Sequence, residues 1–255
     1  MFRDLTVSLV IPAYNEEATI RQVVEEFRQE PHLDEIVVVD NNCKDKTGEL
    51  AAAAGARVVA ESRPGYGAAL LCGMNAAKGD ILVLTEADGS FRARDVEKLL
   101  AYLGDADMVM GTRTTRQMVQ QGANMRFLLR WGNVFMAKFL QLCWLRPSEP
   151  RFTDVGCTFR ALHKRTFDRI RPRLSQTGPA FSPEMMCAVL QERLRVIEVP
   201  VTYGLRQGGE SKHSDTFGRQ ARTAWKMFKT ICKKRFLERS ARVPQRETPM
   251  PGTPR

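Results

Sequence analysis

Residues 81–88 read ILVLTEAD, an apolar run of four residues followed by Thr85, Glu86, Ala87 and Asp88. Such a run is typical of a short strand buried on both faces, and the polar residues after it mark its end. Glu86 and Asp88 can both face one divalent cation, and carboxylate oxygens suit Mg²⁺ or Mn²⁺. The alternative is a solvated turn that caps the next helix. The position directly after a buried strand weakens that alternative.

The same arrangement recurs along the first 111 residues. Further apolar, strand-like runs occupy residues 7–11, 36–39, 57–60 and 108–110, and helical spacing occupies residues 16–27, 46–54, 66–77 and 93–103. Strands that alternate with helices predict an α/β fold with a mostly parallel sheet and helices on both faces. Ligands of such sheets bind beyond the carboxyl ends of the strands. We therefore expect the polar residues that follow the strands to line one crevice.

A glycine-containing turn, RPGYG at residues 63–67, precedes one of these helices. Backbone N–H groups at a helix N-terminus, including that of Gly67, are predicted to be free for an anion. The sequence has no GxGxxG after the first strand and no GxxxxGK[ST] motif. Dinucleotide-binding and P-loop sites are both disfavoured.

The pattern changes after residue 111. Residues 123–145 and 217–239 predict long amphipathic helices, residues 183–191 a further helix, residues 151–160 and 195–203 extended segments, and residues 204–216 a polar loop. We divide the chain into a domain over residues 1–216, with parts 1–112 and 113–216, a basic amphipathic helix over 217–240, and a proline-rich, disordered tail over 241–255.

Charge is distributed unevenly between the two parts of the chain. The formal net charge is +10, yet residues 1–112 hold 11 Lys and Arg against 19 Asp and Glu, whereas residues 113–255 hold 28 against 10. The basic part predicts an anionic partner, which is nucleic acid, phospholipid headgroups or a phosphorylated substrate. With 43% apolar residues, the chain can fill a core, which excludes disorder along its whole length.

The six cysteines are scattered without CxxC pairs, which disfavours a zinc site or a disulfide framework. The start of the chain does not resemble a signal peptide, and every apolar stretch of about 18 residues is broken by charge. We expect a reduced, cytoplasmic protein that does not span a membrane.

Several motifs, taken in order, resemble those of family 2 glycosyltransferases of the GT-A fold. They are VIPAYNEE at 10–17, VVD at 38–40 with DKT at 45–47, RPGYGAA at 63–69 and EAD at 86–88. Four more are similar to the branch of dolichyl-phosphate mannose and dolichyl-phosphate glucose synthases: GTR at 111–113, DVGCTFR at 154–160, EVPV at 198–201, and Arg206 with GESK at 209–212. The resemblance covers about residues 6–216.

The resemblance implies an inverting transfer of a hexose from a UDP- or GDP-linked sugar to a polyprenyl or dolichyl phosphate. Residues 1–112 would then bind the nucleotide sugar and residues 113–216 the acceptor. The donor-binding residues that it implies are Pro12, Ala13, Glu16, Asp40, Gly67, Glu86, Ala87 and Asp88. Asp88, helped by Glu86, would hold Mg²⁺ or Mn²⁺ on the diphosphate. Glu86 replaces the first Asp of the family's DxD motif, and NNC at 41–43 replaces Asp-Gly-Ser, so the base preference does not carry over.

The resemblance also implies a cationic acceptor site and a set of catalytic residues. Arg113, Arg160, Arg206 and Lys212 would surround the acceptor phosphate, since arginine suits bidentate phosphate contacts. For any single arginine the alternative is an ion pair with a surface acid. The catalytic residues would be Asp88, Arg113, Asp154 and Arg160. Asp154 would orient Arg160 or the sugar, because an anionic phosphate needs no general base; a hydroxyl acceptor would need Asp154 as that base.

A lipid acceptor requires contact with the bilayer surface. Members of this branch often carry C-terminal transmembrane helices, and this sequence shows none. The two amphipathic segments are predicted to lie among anionic headgroups, as a peripheral association with the cytoplasmic face; the alternative is that their aromatic stripes pack in the core. Three other classes of function stay open: nucleic-acid binding, for which no motif is present, a non-catalytic nucleotide-sugar sensor, and transfer to a soluble or cell-envelope hydroxyl.

Overall fold

The computed structural model describes residues 1–119, 127–144, 151–206 and 217–238. Their seven strands form one sheet: β1 (Val7–Ala13), β2 (Glu35–Asp40), β3 (Arg57–Ala60), β4 (Ile81–Leu84), β5 (Met108–Thr112), β6 (Arg160–His163) and β7 (Val196–Pro200). The strand order is β3-β2-β1-β4-β6-β5-β7. Only β6 runs antiparallel to its neighbours in this sheet, which confirms the predicted α/β, mostly parallel architecture.

Helices cover both faces of the sheet. They are α1 (Ile20–Arg28), α2 (Thr47–Ala53), α3 (Tyr66–Ala76), α4 (Val96–Tyr102), α5 (Phe127–Cys143), α6 (Lys164–Ile170), α7 (Phe181–Gln191) and α8 (Phe217–Cys232). Helices α1, α2 and α4 pack on one face, and α3, α5, α6, α7 and α8 on the other. Side chains of a strand alternate between the two layers, as Leu9 and Val10 of β1 do.

The first helix starts four residues later than predicted. Glu16 accepts the backbone N–H groups of Thr19 and Ile20, while Asn15 has a left-handed φ of 54°. A non-glycine residue in that region interrupts helical geometry, so residues 14–19 form a loop that ends at α1. This loop lies at the carboxyl end of β1.

The predicted extended segment over residues 151–160 is mostly a loop. The carboxylate of Glu198 in β7 accepts the backbone N–H groups of Thr153 at 2.7 Å and Asp154 at 2.9 Å. Those groups bind a side chain instead of a neighbouring strand, so the strand begins only at Arg160. The chain then continues into α6, which periodicity did not predict.

Two amphipathic helices, α5 and α8, lie side by side on the same face of the sheet as α3, α6 and α7. Phe139 of α5 packs on Phe228 of α8 with 4.7 Å between ring centroids. After α8, residues Lys233–Leu237 form a π-helical turn. Of the predicted loop over 204–216, residues 207–216 lie outside the described residues, as do residues 239–255 with the predicted tail. Among the helices that the structure describes, none is both long and apolar enough to cross a membrane.

Candidate active site

A cavity of about 550 Å³ opens at the carboxyl ends of β1, β2 and β4. The predicted site residues that line it are Pro12, Ala13, Glu16, Glu86, Ala87, Asp88 and Arg206. It is also lined by Tyr14, Asn41, Lys44, Tyr66 and Thr158, and by Met227 of α8. The edge of the sheet thus brings most of the predicted donor-binding residues together, as the parallel architecture requires.

Asp88 is buried in the turn that follows β4. Its Oδ1 accepts a hydrogen bond from the backbone N–H of Ser90 at 2.9 Å and another from the Ser90 hydroxyl at 2.6 Å. Its Oδ2 forms an ion pair with Nη2 of Arg206 at 2.9 Å. One oxygen therefore fixes the side chain, and the other faces positive charge at the cavity wall.

Glu86 lies beside Asp88 and is held by a hydroxyl group. Thr158 donates its O–H to Oε1 of Glu86 at 2.6 Å. Burial and the charge of Asp88 raise the pKa of Glu86 to about 7, although Arg113, Thr158 and Arg206 act in the opposite direction. The nearby charge of Asp88 thus disfavours ionisation of Glu86.

Tyr66 extends this hydrogen-bonded chain. Its hydroxyl is in hydrogen-bond contact with Oγ1 of Thr158. Burial, followed by the charge of Glu86, raises the pKa of Tyr66 to about 12, so the phenol stays protonated at neutral pH. Neither Tyr66 nor Thr158 was predicted as a site residue, although both lie within quoted motifs.

The two carboxylates suit a divalent cation. Carboxylate oxygens are hard ligands, and the negative charge of Asp88 acts on Glu86. In addition, Oδ2 of Asp88 already binds a positive group, the guanidinium of Arg206. Within the described residues no group of three or more His, Cys, Asp and Glu side chains could enclose a metal. This set fits Mg²⁺ or Mn²⁺ held by one or two carboxylates and completed by substrate phosphates.

The end of β2 is formed differently from the prediction. Asn41 and Asn42 line the cavity there, whereas Asp40 is not among the described lining residues. Oδ1 of Asp40 accepts the backbone N–H of Cys43 at 2.8 Å, which fixes the turn after the strand. The direct role of Asp40 in nucleotide binding stays a prediction.

Asn41 holds the loop that leads to α3. Its Nδ2 donates to the backbone carbonyls of Glu61 at 3.0 Å and Arg63 at 2.7 Å, and its Oδ1 accepts the N–H of Gly65 at 2.8 Å. A buried amide that uses both its donor and its acceptor in this way fixes one side of the cavity. In the sequence this position belongs to the polar residues after β2 and departs from the family pattern, but neither feature predicted its hydrogen bonds.

The prediction that the N–H of Gly67 is free for an anion is wrong. This N–H is donated to the carbonyl of Thr177 at 2.7 Å. A Cβ at residue 67 would lie 2.3 Å from the carbonyl oxygen of Gln176 and 2.8 Å from Cβ of Phe181. Gly67 therefore allows α3 to approach the segment before α7, and it serves packing.

Arg113 and Asp154 form a buried, bidentate ion pair. Nε of Arg113 lies 2.8 Å from Oδ2 of Asp154, and Nη2 lies 3.0 Å from Oδ1. Burial alone would raise the pKa of Asp154, but the charge and hydrogen bonds of Arg113 outweigh it and lower that pKa. Asp154 therefore orients Arg113, and the expectation that it orients Arg160 is wrong. A carboxylate with a lowered pKa, both of whose oxygens are paired with an arginine, is also a poor general base.

Arg160 is buried at the start of β6 and binds backbone carbonyls. Its guanidinium donates to Cys157 at 2.8 Å, Ser182 at 2.9 Å and Val155 at 3.1 Å. Burial lowers the pKa of this arginine. The prediction that Arg113 and Arg160 bind an acceptor phosphate does not fit these partners. Arg206 does face the cavity, and Lys212 lies outside the described residues.

The fold and the site define an α/β glycosyltransferase with the GT-A architecture. A family model described as glycosyl transferase family 2 matches residues 8–166, and the chain belongs to this family. An uncharacterised glycosyltransferase of Mycobacterium tuberculosis is 34% identical over 209 residues, which are 82% of this chain and 89% of the relative. An undecaprenyl-phosphate mannosyltransferase of Micrococcus luteus is 27% identical over 222 residues, covering 82% and 88% of the two chains.

Solved structures share the fold. Glucosyl-3-phosphoglycerate synthase from Mycobacterium tuberculosis, in complex with Mn²⁺, UDP-glucose and phosphoglyceric acid, superposes with a TM-score of 0.71 at 22% identity. The match covers 91% of this chain and 80% of that chain. The same enzyme has also been crystallised with Mg²⁺ and UDP. These likenesses confirm the predicted GT-A architecture.

Proposed function

We propose that this protein transfers a hexose, with inversion, from a nucleotide-diphosphate sugar, and that it depends on Mg²⁺ or Mn²⁺. The observation that carries the proposal is the pair Glu86 and Asp88 at the wall of the cavity beyond β4. A divalent cation bound there would stabilise the negative charge that develops on the leaving nucleoside diphosphate. Solved structures of glucosyl-3-phosphoglycerate synthase hold Mn²⁺ with UDP-glucose and Mg²⁺ with UDP, which supports the same donor chemistry.

The residues of the chain divide the work in this proposal. Pro12, Ala13 and Tyr14 at the end of β1 form one wall for the nucleotide, and Asn41 fixes the opposite loop. Arg206 forms an ion pair with Asp88 in this structure. When Asp88 binds the divalent cation, the guanidinium of Arg206 would be available to contact the diphosphate. Pro179, Ser182 and Met227 also line the cavity and would exclude water from the bound donor.

Donor turnover tests the proposal. UDP-glucose, UDP-N-acetylglucosamine and GDP-mannose are each incubated with the protein, with Mg²⁺, with Mn²⁺ and with a chelator. Asp88→Asn should lower the turnover of the accepted donor by at least about 100-fold. The matched control is Asp105→Asn, an exposed residue, which should retain wild-type rates. Full activity in the chelator, or in Asp88→Asn, would contradict the metal site, and absence of all turnover would favour a sensor.

For the acceptor we propose a polyprenyl phosphate at a membrane surface. Helix α5 exposes Trp131 (56%), Phe135 (66%) and Leu142 (63%), and α8 exposes Trp225 (57%). Large apolar side chains that stay exposed together mark a binding surface, and exposed lysines such as Lys226 and Lys229 accompany them. Met227 of α8 lines the cavity, so the helix that carries Trp225 also borders the candidate site. The mannosyltransferase of Micrococcus luteus, by its name, uses undecaprenyl phosphate.

A second candidate is a soluble or cell-envelope hydroxyl acceptor. Arg113 is paired with Asp154, and Arg160 donates to backbone carbonyls. Two of the four cations predicted to bind an acceptor phosphate therefore bind protein groups instead, which favours this candidate. The solved relative is named with a soluble phosphoglycerate acceptor. The pairing of Asp154 with Arg113 weighs against this candidate, since it removes the predicted base.

Product analysis separates the two acceptors. The protein is incubated with the accepted radiolabelled donor and either undecaprenyl phosphate, dolichyl phosphate, or a soluble panel that includes 3-phosphoglycerate and glycerol. Label that partitions into organic solvent as an acid-labile phosphodiester supports the lipid acceptor. Label that stays in the aqueous phase as a stable glycoside supports the hydroxyl acceptor and contradicts the first.

A further inference from the structure

Strand register explains why Thr158 meets Glu86. Strands β4 and β6 are antiparallel, and Leu84 pairs with Arg160. Glu86 lies two residues beyond Leu84, and Thr158 lies two residues before Arg160, so continuing the same register places them opposite each other. Residues two apart project to the same side of a strand, and cross-strand neighbours have Cβ atoms about 5 Å apart. The 2.6 Å hydrogen bond between these side chains is the result.

We propose that Thr158, supported by Tyr66, is a positioning residue that holds Glu86 in the orientation in which it helps Asp88 to bind the divalent cation. This inference rests on the proposed function, since it assumes the cation site. Thr158 itself would not contact the cation. Its effect would pass through the carboxylate of Glu86.

The direction of donation along the hydrogen bonds from Tyr66 to Thr158 to Glu86 follows from the number of protons. A threonine hydroxyl has one proton, and Thr158 donates it to Oε1 of Glu86. The hydroxyl of Tyr66 must then be the donor to Oγ1 of Thr158. Each hydroxyl uses its proton once, and the carboxylate only accepts, so the ionised form of Glu86 is the form that the chain supports. Hydrogen bonds to an ionised carboxylate are the short, strong kind.

A glutamate needs such support more than an aspartate does. Asp88 is fixed by two hydrogen bonds from Ser90 within its own turn. Glu86 has one more rotatable bond, and its carboxylate accepts a hydrogen bond from Thr158 across the sheet. Outer partners that orient a metal-binding carboxylate commonly change metal affinity 10- to 100-fold when removed. Thr158 therefore compensates for the longer side chain at the first position of the EAD motif.

The test measures Mn²⁺ binding by the full chain rather than turnover. Mn²⁺ is titrated in the presence of UDP, and again with GDP, and free Mn²⁺ is followed by electron paramagnetic resonance. Thr158→Val keeps the shape and removes the hydroxyl, and it should weaken Mn²⁺ binding about tenfold. The matched control Thr158→Ser keeps the hydroxyl and should bind close to wild type. Wild-type affinity in Thr158→Val would overturn the proposal.

A double-mutant cycle distinguishes positioning from a general structural role. In a Glu86→Gln background, Thr158→Val should cause no further loss of Mn²⁺ affinity, because the effect passes through the carboxylate. An equal loss in both backgrounds would contradict the proposal. If Thr158→Val does not fold, as judged by circular dichroism, Tyr66→Phe replaces it and should give a smaller loss of Mn²⁺ affinity. Unchanged Mn²⁺ affinity in Tyr66→Phe would contradict the proposed support of Glu86 through Thr158.

Failure of the proposed function is recognised separately. If the wild-type protein binds no Mn²⁺ with either nucleotide, the cation site is wrong before any variant is made, and this inference falls with it. If the wild type binds Mn²⁺ and the valine variant binds it equally well, only the role of Thr158 is wrong.

Discussion

Nζ of Lys234 lies 3.1 Å from Oε1 of Glu184, and both side chains are buried. Lys234 belongs to the π-helical turn after α8, and Glu184 to the first turn of α7. Lys234 also pairs with Glu238 at 2.7 Å. This cluster fastens the C-terminal helix, which carries part of the aromatic surface, to the body of the domain.

The ion pair continues toward the candidate site. Glu184 accepts the backbone N–H groups of Ser175 at 2.9 Å and Gln176 at 2.8 Å. The next residue, Thr177, accepts the N–H of Gly67 at the start of α3. The position of α8 and the position of α3 are thus set by one connected group of buried contacts.

Breaking this ion pair should destabilise the protein. Lys234→Met leaves Glu184 as a buried carboxylate without its ammonium partner, and we expect the free energy of unfolding to fall by about 3 kcal/mol. Urea denaturation followed by circular dichroism measures the change. The control is Lys233→Met, next to it but 54% exposed, which should change stability by less than about 0.5 kcal/mol. Equal stability of the two variants would show that the buried pair is not needed.

Two glycine substitutions should have opposite effects. Gly67→Ala places a Cβ 2.3 Å from the backbone oxygen of Gln176, and such overpacking should lower the free energy of unfolding by about 1–3 kcal/mol. Gly132 in α5 has nothing within 4 Å of the added Cβ, so Gly132→Ala should raise helix stability by about 0.5–1 kcal/mol. Thermal unfolding of both variants checks the signs, and tolerance of alanine at 67 would contradict the close approach.

Asp154→Asn should affect stability more than catalysis. Since the pKa of Asp154 is lowered in the folded state, its ionised form contributes stability that is fully present above the unfolded pKa of about 3.9 and is lost as pH falls through the folded value. The variant should therefore be less stable than wild type at pH 6. The difference should shrink below about pH 4. Urea titrations between pH 3 and pH 7 measure this trend.

The same variant also tests the hydroxyl acceptor. If Asp154 were the general base, Asp154→Asn would lose activity and its acidic limb in the pH–rate profile. We expect the folded fraction of the variant to keep the wild-type profile, because Asp154 is occupied by Arg113. Loss of that limb at full folding would contradict our interpretation of the ion pair.

Thiol reactivity should divide the six cysteines into two groups. Cys157 and Cys187 are buried, and burial raises the pKa of Cys157 to about 12 and that of Cys187 well above its usual range. The other four, Cys43, Cys72, Cys143 and Cys232, are half-buried. Iodoacetamide at pH 8 should therefore label at most four thiols in the native protein and all six in urea, as counted by mass spectrometry. Rapid native labelling of Cys157 would contradict the placement of the loop before β6.

Membrane binding, which belongs to the proposed lipid acceptor, should depend on the aromatic surface. Trp225→Ala and Phe135→Ala should each weaken sedimentation with anionic liposomes about tenfold, since each removes an aromatic side chain that would be buried among lipids. Tyr102→Ala is the control, because Tyr102 is 50% exposed on α4 at the opposite face of the sheet. Equal binding by all three variants would contradict this surface as the docking site.

The apolar runs of the first half were enough to predict five strands and the crevice at their carboxyl ends. β1, β2, β4 and β5 are short, apolar and largely buried, and the edge strand β3 is short and half-buried, so the signal for each strand is local. The same rule brought Pro12, Ala13, Glu16, Glu86 and Asp88 to one cavity. β6 was not resolved from the sequence as an antiparallel strand, because its pairing with β4 and β5 depends on residues far away in the chain.

The partners of charged side chains could not be predicted in this way. Arg113, Arg160 and Arg206 all lie in motifs that resemble the same branch of the family. In the structure, Arg113 binds the buried carboxylate of Asp154, Arg160 binds backbone carbonyls, and Arg206 faces the cavity. Gly67 looked like an anion-binding residue and is instead a point of close packing. The sequence shows which hydrogen-bond donors an arginine or glycine motif supplies. Which acceptors those donors bind is decided by the groups that are buried next to them in the folded protein.

The sequence by itself determined the α/β class, the family motifs and the location of the carboxylates, because hydrophobic periodicity and strand ends are local properties of the chain. Only the tertiary structure decided that Thr158 lies opposite Glu86, that Asp154 holds Arg113, and that Trp131, Phe135 and Trp225 stay exposed. Each of these depends on strand register or helix packing between distant segments, and such contacts form only when the complete core is assembled.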